Sequence, residues 1–222
     1  TVKWLYQTHD GHHIETVLIP TNDRFSVCVS TQIGCAQNCA FCRTAKMGFI
    51  RNLEAGEILE EIIRVNWYLE ETGTKHSDGS LAKVTNIIFM GMGEPLNNLE
   101  QVHRVCCTLH HQKLFNLGRK RMTISTSGVV PKIKELVDRN TPCCLAVSLN
   151  STNDERRSAV MPVNKVWNIA KLLEATDEYT KRTGNYVTFE FVLMKGITCS
   201  EEAAKELIRI CAPRRCKVNA IV

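Results

Sequence analysis

Three cysteines lie close together in the first quarter of the chain. They are Cys35, Cys39 and Cys42, spaced C-x3-C-x2-C, and an aromatic residue, Phe41, comes directly before the last thiol. Three thiolates on one short loop can hold three corners of a cubane iron–sulfur cluster, which leaves the fourth iron without a protein ligand. A small molecule can bind to that open iron. The spacing therefore predicts a reactive iron–sulfur centre.

Structural zinc is the alternative interpretation of the same thiols. Zinc needs a closed tetrahedral shell, which paired C-x2-C or histidine couples usually supply. The next cysteines, Cys106 and Cys107, are adjacent to each other and far along the chain. This spacing is poor for zinc and favours the cluster.

The composition describes one globular domain. The 222 residues are 44% hydrophobic and 23% charged, which is enough for a barrel-sized core. No apolar run approaches membrane-spanning length and no signal peptide is recognisable, so we expect a cytoplasmic protein without membrane contact. Eleven cysteines without a small disulfide framework suit a reducing compartment. The net charge of +5 fits RNA as a partner and fits an ordinary mildly basic enzyme equally well.

Strand-like and helix-like segments alternate along the chain. The predicted strands are 26–30, 84–90, 121–126, 145–149, 186–194 and 216–222, and the predicted helices lie near 57–70, 99–112, 131–139, 167–182 and 201–211. This alternation predicts an α/β fold with a parallel sheet that curls into a partial (β/α)6 TIM-like barrel. A doubly wound open sheet is the alternative. A predicted hairpin around Asp10-Gly11 makes residues 1–25 a β-hairpin extension of a core domain that spans 26–222.

Small polar residues occupy one face of the predicted strands. On the first strand Ser26, Cys28 and Ser30 share a face, and Val27 and Val29 share the other. The third and fourth strands alternate in the same way. The interior of a closed barrel is normally packed with bulky branched residues. A polar interior therefore indicates a cavity that a substrate can enter.

Several polar loops directly follow predicted strands. The cysteine loop follows the first strand, residues 90–95 the second, 125–128 the third and 148–150 the fourth. Parallel α/β folds place their sites at the carboxyl edge of the sheet, where these loops should meet. Arg156 and Arg157, behind a predicted capping box at Thr152, are expected to meet an anionic substrate at this edge. Glu190 faces inward on the fifth strand and is expected to form an ion pair, with a catalytic role as the alternative.

Five ordered motifs resemble a known family. They are residues 28–35, 48–53, 90–96, 125–131 and 161–165. In this order they resemble the RlmN family of dual-specificity radical SAM RNA methyltransferases, and the similarity runs from Glu15 to Asn219. The resemblance implies a barrel of the radical SAM type, one [4Fe–4S] cluster and S-adenosylmethionine as cosubstrate. It implies methylation of C2 of adenosine in large-subunit rRNA and tRNA by a monomer that receives electrons from a donor such as flavodoxin.

The resemblance also implies a role for each matching residue. Cys35, Cys39 and Cys42 would bind the cluster. Contacts to S-adenosylmethionine would come from Gly93, Glu94, Ser125, Ser148, Leu149 and Asn150. Cys28 would be one of two mechanistic cysteines, and Glu15 would be an acidic residue of the site. In the family, a 5′-deoxyadenosyl radical abstracts hydrogen from a methylated cysteine, the carbon adds to C2, and a disulfide bond to the other cysteine releases the product.

The chain departs from the family pattern in two ways. Asn150 stands where family members commonly have histidine, so a proton-transfer role at this position is in doubt. The methyl-carrying cysteine and an N-terminal helical RNA-binding domain fall outside the matching motifs. We therefore expect a fragment that lacks the full reaction. The alternative functions are a related C8-methylating rRNA enzyme, and a non-catalytic iron–sulfur or zinc protein that binds RNA.

Overall fold

The structure is a computed structural model that describes residues 1–222. The strands are β1 (Val2–Gln7), β2 (His13–Thr21), β3 (Arg24–Cys28), β4 (Gln32–Gly34), β5 (Phe49–Asn52), β6 (Asn86–Phe89), β7 (Met122–Thr126), β8 (Cys144–Ser148), β9 (Val187–Val192) and β10 (Cys216–Ile221). The helices are α1 (Ala55–Glu71), α2 (Leu99–His110), α3 (Val130–Asp138), α4 (Asp154–Val160), α5 (Ile169–Thr183) and α6 (Glu201–Cys211). No helix is both long enough and apolar enough to cross a membrane.

Eight strands form one sheet, in the order β1-β2-β3-β6-β7-β8-β9-β10. The six strands from β3 to β10 in this order are parallel, and each pairs with the next one along the chain. The β1–β2 hairpin is antiparallel and pairs with the free side of β3. The outer strands β1 and β10 do not pair with each other, so the barrel is partial. The predicted α/β fold is confirmed.

Helices cover the outer face of the sheet because helices and strands each place their apolar residues on one face, with a period of about 3.6 residues in a helix and about 2 in a strand. On α1, the side chains of Ile58, Ile62 and Val65 lie on one face and are fully buried. Val27 on β3 and Val29 just after it point to the same side of the sheet and are equally buried. The same alternation leaves the other sheet face to small residues, which remain half-buried around an open interior.

The sequence periodicity did not predict strands β4 and β5 or helix α4. The short strands β4 and β5 pair as a ribbon whose arms flank the cysteine loop. Helix α4 is also additional, and its cap differs from the prediction. Asn153, not Thr152, accepts the first N–H groups of the helix through its side chain, while the Thr152 hydroxyl bonds Glu206. The predicted capping box at Thr152 is therefore wrong, because Thr152 lies one residue too early to reach the helix N–H groups.

Candidate active site

A cavity of about 290 Å³ opens at the carboxyl edge of the parallel strands. Eight of the predicted site residues line it: Cys35, Cys39, Cys42, Gly93, Glu94, Ser125, Ser148 and Asn150. They come from the cysteine loop, the loop after β6, the carboxyl ends of β7 and β8, and the loop after β8. The order of the strands thus brings together side chains that are more than a hundred residues apart in sequence.

The β4–β5 ribbon fixes the start and end of the cysteine loop. The Cys35 N–H donates to the Gly48 carbonyl at 2.9 Å, which closes the loop at its base. At Gly34 the backbone φ is +73°, and an added Cβ would lie 1.7 Å from the Gly48 oxygen. Only glycine permits this approach. Within the loop, the Ala40 N–H donates to the Val160 carbonyl at the end of α4.

The three loop thiols lie on one wall of the cavity and are free. Burial raises the pKa of Cys35 and raises that of Cys39 to about 12. Nowhere in the chain do three His, Cys, Asp or Glu side chains converge as ligands of a single metal ion. A cluster does not require such convergence, because each thiolate binds a different iron atom. The donor set therefore fits a cluster better than a mononuclear zinc ion.

The turn that carries Glu94 packs against the stem of the cysteine loop. The Gln32 side chain accepts the Glu94 N–H at 2.8 Å, and the backbone N–H groups of Thr31 and Gln32 donate to the Met92 carbonyl. Gly93 has φ +104°, and an added Cβ would lie 2.6 Å from the Gln32 side chain. This close approach fixes Glu94 relative to the cysteine loop.

The Glu94 carboxyl is buried yet faces the cavity. One oxygen, Oε2, accepts from the backbone N–H and the hydroxyl of Ser127, both at 2.8 Å, and Oε1 accepts from the Leu96 N–H at 3.1 Å. Burial raises the pKa of Glu94, and these donors oppose the rise. A carboxylate offers about four acceptor positions. One position therefore remains for a donor in the cavity.

The loop after β8 holds the remaining predicted contacts. Asn150 has φ +52°, a left-handed conformation that asparagine adopts more readily than most residues. Its side-chain oxygen accepts the Val192 N–H at 2.9 Å, which ties this loop to β9. Leu149 differs from its neighbours because its side chain is fully buried in the core. Its backbone is committed as well, because its N–H donates to the Glu190 carbonyl at 3.0 Å and its carbonyl accepts from Arg157 and from the Ser151 N–H.

Cys28 and Glu15 lie outside the cavity lining. Cys28 is half-buried on the interior face of β3, where its cross-strand partner is Ile88. The backbone of Met90, which does line the cavity, lies within hydrogen-bonding reach of the Cys28 thiol. Burial raises the pKa of Cys28 to about 11. Val17 pairs with Cys28, so Glu15, two residues before Val17, shares the interior face. The Glu15 carboxylate forms a 2.6 Å ion pair with Lys3.

Arg157 corrects the expectation of a substrate contact. Its guanidinium is fully buried, and burial lowers its pKa to about 10. All of its hydrogen bonds are to the protein: its acceptors are the carbonyls of Ser127, Ser148 and Leu149 and the side chain of Asn164, at 2.7–2.9 Å. Arg156 is committed as well, to Glu206 at 3.0 Å. The prediction of a contact with an anionic substrate is therefore wrong for Arg157, which instead joins the loops after β7 and β8.

Sequence reasoning also missed two contributors to the site and assigned the wrong partner to a third. Ser127 and Gln32 position Glu94, and the only signal for Ser127 was its place directly after a predicted strand. Glu190 lines the cavity without the expected ion pair, because its partner is the neutral amide of Asn219. The ion-pair prediction for Glu190 is wrong.

Comparisons with known proteins agree with the fold and the motifs. A family model described as the radical SAM superfamily matches residues 29–208. A dual-specificity RNA methyltransferase RlmN 2 from Myxococcus xanthus is 42% identical, covering 100% of this chain and 57% of that protein. A probable dual-specificity RNA methyltransferase RlmN from Bacillus licheniformis is 40% identical, covering 100% of this chain and 59% of that protein.

A solved structure is similar as well. It is the crystal structure of a radical SAM methyltransferase from Sphaerobacter thermophilus, with a TM-score of 0.91 and 43% sequence identity over 98% of this chain and 62% of that one. The chain thus spans about three-fifths of the length of the proteins that it matches.

Proposed function

Because this chain belongs to the radical SAM superfamily, we propose that it is the catalytic core of an RNA methyltransferase acting on C2 of adenosine. The proposed substrates are large-subunit rRNA and tRNA. One observation carries the proposal: three free thiols and a buried carboxyl with an open acceptor position line the same cavity. The whole-chain similarity to RNA methyltransferases of the RlmN type supports the choice of RNA as substrate.

C2 of adenine explains why such a site needs radical chemistry. This carbon lies between two ring nitrogens and has no nucleophilic lone pair, so it cannot attack a sulfonium methyl group directly. Cys35, Cys39 and Cys42 would hold one [4Fe–4S] cluster. When bound, the cluster supplies the electron that cleaves S-adenosylmethionine.

The remaining cavity residues would orient the cosubstrate. The free acceptor position of Glu94 suits the ammonium group, because a charge-assisted hydrogen bond is stronger than a neutral one. Gly93 would offer polar backbone groups without a competing side chain, and Leu149 would lie beside the cosubstrate with its own backbone groups bonded within the protein. Ser125, Ser148 and Asn150 lie along the interior face, where they would contact the adenosyl part.

Cys28 is proposed to act after carbon–carbon bond formation. The Cys28 thiolate would attack the sulfur of the second mechanistic cysteine, so that the S–S bond forms as the bond from that sulfur to the RNA-linked carbon breaks. The electron pair leaves on this carbon, which takes up a proton to become the methyl group and frees the RNA. With its pKa raised to about 11, this thiol is protonated at neutral pH and needs a base before it can attack. Glu15 shares the interior face of the sheet and is the proposed acidic partner in the site.

The same site fits the other proposed properties of the protein. We propose a cytoplasmic monomer that binds RNA and receives electrons from a donor such as flavodoxin. A related enzyme that methylates C8 is the second candidate, because it would use the same cluster and cysteine chemistry. The two differ in the carbon that is methylated.

Analysis of cellular RNA tests the proposed function. The full-length protein that contains this chain is expressed in a bacterial host that lacks 2-methyladenosine, and nucleosides from rRNA and tRNA are measured by mass spectrometry. We expect 2-methyladenosine with the wild type, none with Cys39→Ala, and a wild-type level with the control Cys107→Ala, whose thiol is exposed on α2. Formation of 8-methyladenosine would establish the second candidate, and an unmodified RNA pool would contradict both.

A further inference from the structure

Glu190 is a buried carboxyl of the cavity to which the proposed function gives no role. Its side chain is 7% exposed and lines the cavity. The Asn219 side chain donates to Oε2 at 2.7 Å. The other oxygen, Oε1, has no donor in the chain, and no cation pairs with the carboxyl. Because Glu190 lines the cavity, this unpaired oxygen is open to a donor from a ligand.

Glu190 belongs to a polar row that crosses three strands. Ser148 on β8, Glu190 on β9 and Asn219 on β10 are in register with one another. Residues in register on neighbouring strands project from the same sheet face and lie roughly 5 Å apart. The row therefore forms one side of the cavity at the carboxyl edge.

Glu94 and Glu190 occupy different sides of the same cavity. Glu94 follows β6, and Glu190 lies on β9, three strands further along the sheet. With roughly 5 Å between strands, the separation measured along the sheet is about 14 Å. The cavity thus offers one carboxyl to each end of an elongated ligand, and the ligand proposed above has an ammonium group at only one end.

We propose that Glu190 binds the ribose hydroxyl groups of S-adenosylmethionine. This inference rests on the proposed function and extends it to the adenosyl end of the cosubstrate. Hydroxyl groups are neutral donors and suit a carboxyl that lacks a cationic partner. Acidic residues bind ribose hydroxyls in the same way at the strand ends of dinucleotide-binding sheets.

Ribose hydroxyls could also come from the RNA, and the row favours the cosubstrate. A nucleotide within RNA offers only its 2′-hydroxyl, because its 3′ oxygen is esterified. The cosubstrate offers two adjacent hydroxyls. Ser148, the proposed adenosyl contact, is the direct neighbour of Glu190 in the row. The two adjacent hydroxyls of the cosubstrate therefore match the adjacent side chains of Ser148 and Glu190.

Binding of cosubstrate analogues tests this assignment without measuring catalysis. The anaerobically reconstituted protein is dialysed to equilibrium with S-adenosylmethionine, its 2′-deoxy analogue and its 3′-deoxy analogue. Glu190→Gln keeps the shape of the side chain, Glu190→Ala removes it, and the control Glu174→Gln alters an exposed carboxyl of α5. Thermal unfolding and cluster absorbance verify that each variant is folded and loaded.

In the wild type, loss of the contacted hydroxyl should weaken binding about tenfold, which corresponds to about 1.4 kcal/mol. Both Glu190 variants should bind S-adenosylmethionine about tenfold more weakly and should no longer distinguish it from that deoxy analogue. If the losses in affinity caused by removing the hydroxyl and by changing Glu190 do not add, the hydroxyl and the Glu190 carboxylate contact each other. The control should match the wild type.

Two results would overturn the assignment. One is equal discrimination between the analogues in the wild type and in both Glu190 variants. The other is a loss confined to RNA binding, measured with an oligonucleotide and its 2′-deoxyadenosine counterpart, because the hydroxyl would then belong to the RNA. If the wild type bound no S-adenosylmethionine at all, the proposed function itself would fail.

Discussion

Two cavities of similar size differ in what their side chains leave unused. One, of about 260 Å³, lies between the β1–β2 hairpin and α1, and its lining includes Glu57, Glu60 and Glu61. The other, of about 290 Å³, is the candidate active site. Both contain a carboxyl that is almost completely buried, Glu61 in the first and Glu94 in the second. Neither volume nor acidity distinguishes them.

The hairpin cavity satisfies its carboxyls within the chain. Glu57 pairs with Arg51 at 2.7 Å, Glu60 pairs with Arg64, and Glu61 bonds the Thr16 hydroxyl and the Ser30 N–H. The active-site cavity instead keeps three free thiols and open acceptor positions on two carboxyls. What distinguishes the candidate active site is therefore a set of thiols and carboxyl acceptor positions that have no partner within the chain and can bind a ligand.

Removal of Arg157 should have the largest effect on stability, because this residue joins the loops that line the active-site cavity. Arg157→Ala removes a buried donor from three backbone carbonyls, and each carbonyl left without another donor costs about 1–3 kcal/mol. We expect the free energy of unfolding to fall by more than about 3 kcal/mol in urea titrations. The matched variant Arg156→Ala breaks a partly exposed pair and should change it by about 1 kcal/mol or less. Equal unfolding midpoints for the two variants would refute this role.

The two buried carboxyls should respond differently to the loss of charge. Glu94→Gln removes the charge offered to an ammonium group, a contact worth about 1.5–3 kcal/mol. We expect affinity for S-adenosylmethionine to fall at least about tenfold in equilibrium dialysis, with cluster absorbance retained. Glu61→Gln should leave this affinity unchanged. If both variants bound like the wild type, the distinction between the two cavities would be lost.

Glu61 should instead control the pH dependence of stability. Burial raises the pKa of Glu61 well above its usual value, so the folded protein holds a proton that the unfolded chain releases. Its contribution to stability is fully present below about pH 4.3, the ordinary value for Glu, and is lost as pH rises through the folded pKa. Relative to the wild type, Glu61→Gln should gain stability between pH 5 and pH 8. The check is urea unfolding at both pH values, and a difference that is flat with pH would argue against a protonated Glu61.

Replacement of Cys28 should have the smallest effect on cluster assembly and on cleavage of S-adenosylmethionine, the steps that precede RNA methylation. Cys28 lies outside the cavity lining, so Cys28→Ala should assemble the cluster and cleave S-adenosylmethionine like the wild type. In an enzyme competent for RNA methylation, the same change should trap a covalent protein–RNA adduct. That species should survive a denaturing gel and disappear on nuclease treatment. Normal multiple turnover of RNA by Cys28→Ala would make this thiol a packing residue.

The sequence predicted the strands of the main sheet, the polar interior and the loops that meet at the carboxyl edge, because each depends on local periodicity or spacing. The roles of single residues at the cavity came from the family resemblance. It did not predict which polar groups would pair. The burial of Arg157 depends on α4 folding back onto carbonyls from two other loops. The partner of Glu190 comes from β10, and the choice of Asn153 over Thr152 as a cap depends on a difference of one residue in where α4 begins. Such pairings require the tertiary arrangement.

Reductive cleavage of S-adenosylmethionine by the reconstituted chain tests the central claim most directly. The protein is loaded anaerobically with iron and sulfide, reduced with dithionite, and assayed for 5′-deoxyadenosine. The wild type and Cys107→Ala should carry one [4Fe–4S] cluster and form 5′-deoxyadenosine, whereas Cys35→Ala, Cys39→Ala and Cys42→Ala should each lose the visible absorbance and the cleavage. Wild-type iron content and cleavage in all three cysteine variants would contradict the assignment of this cavity as a radical SAM centre.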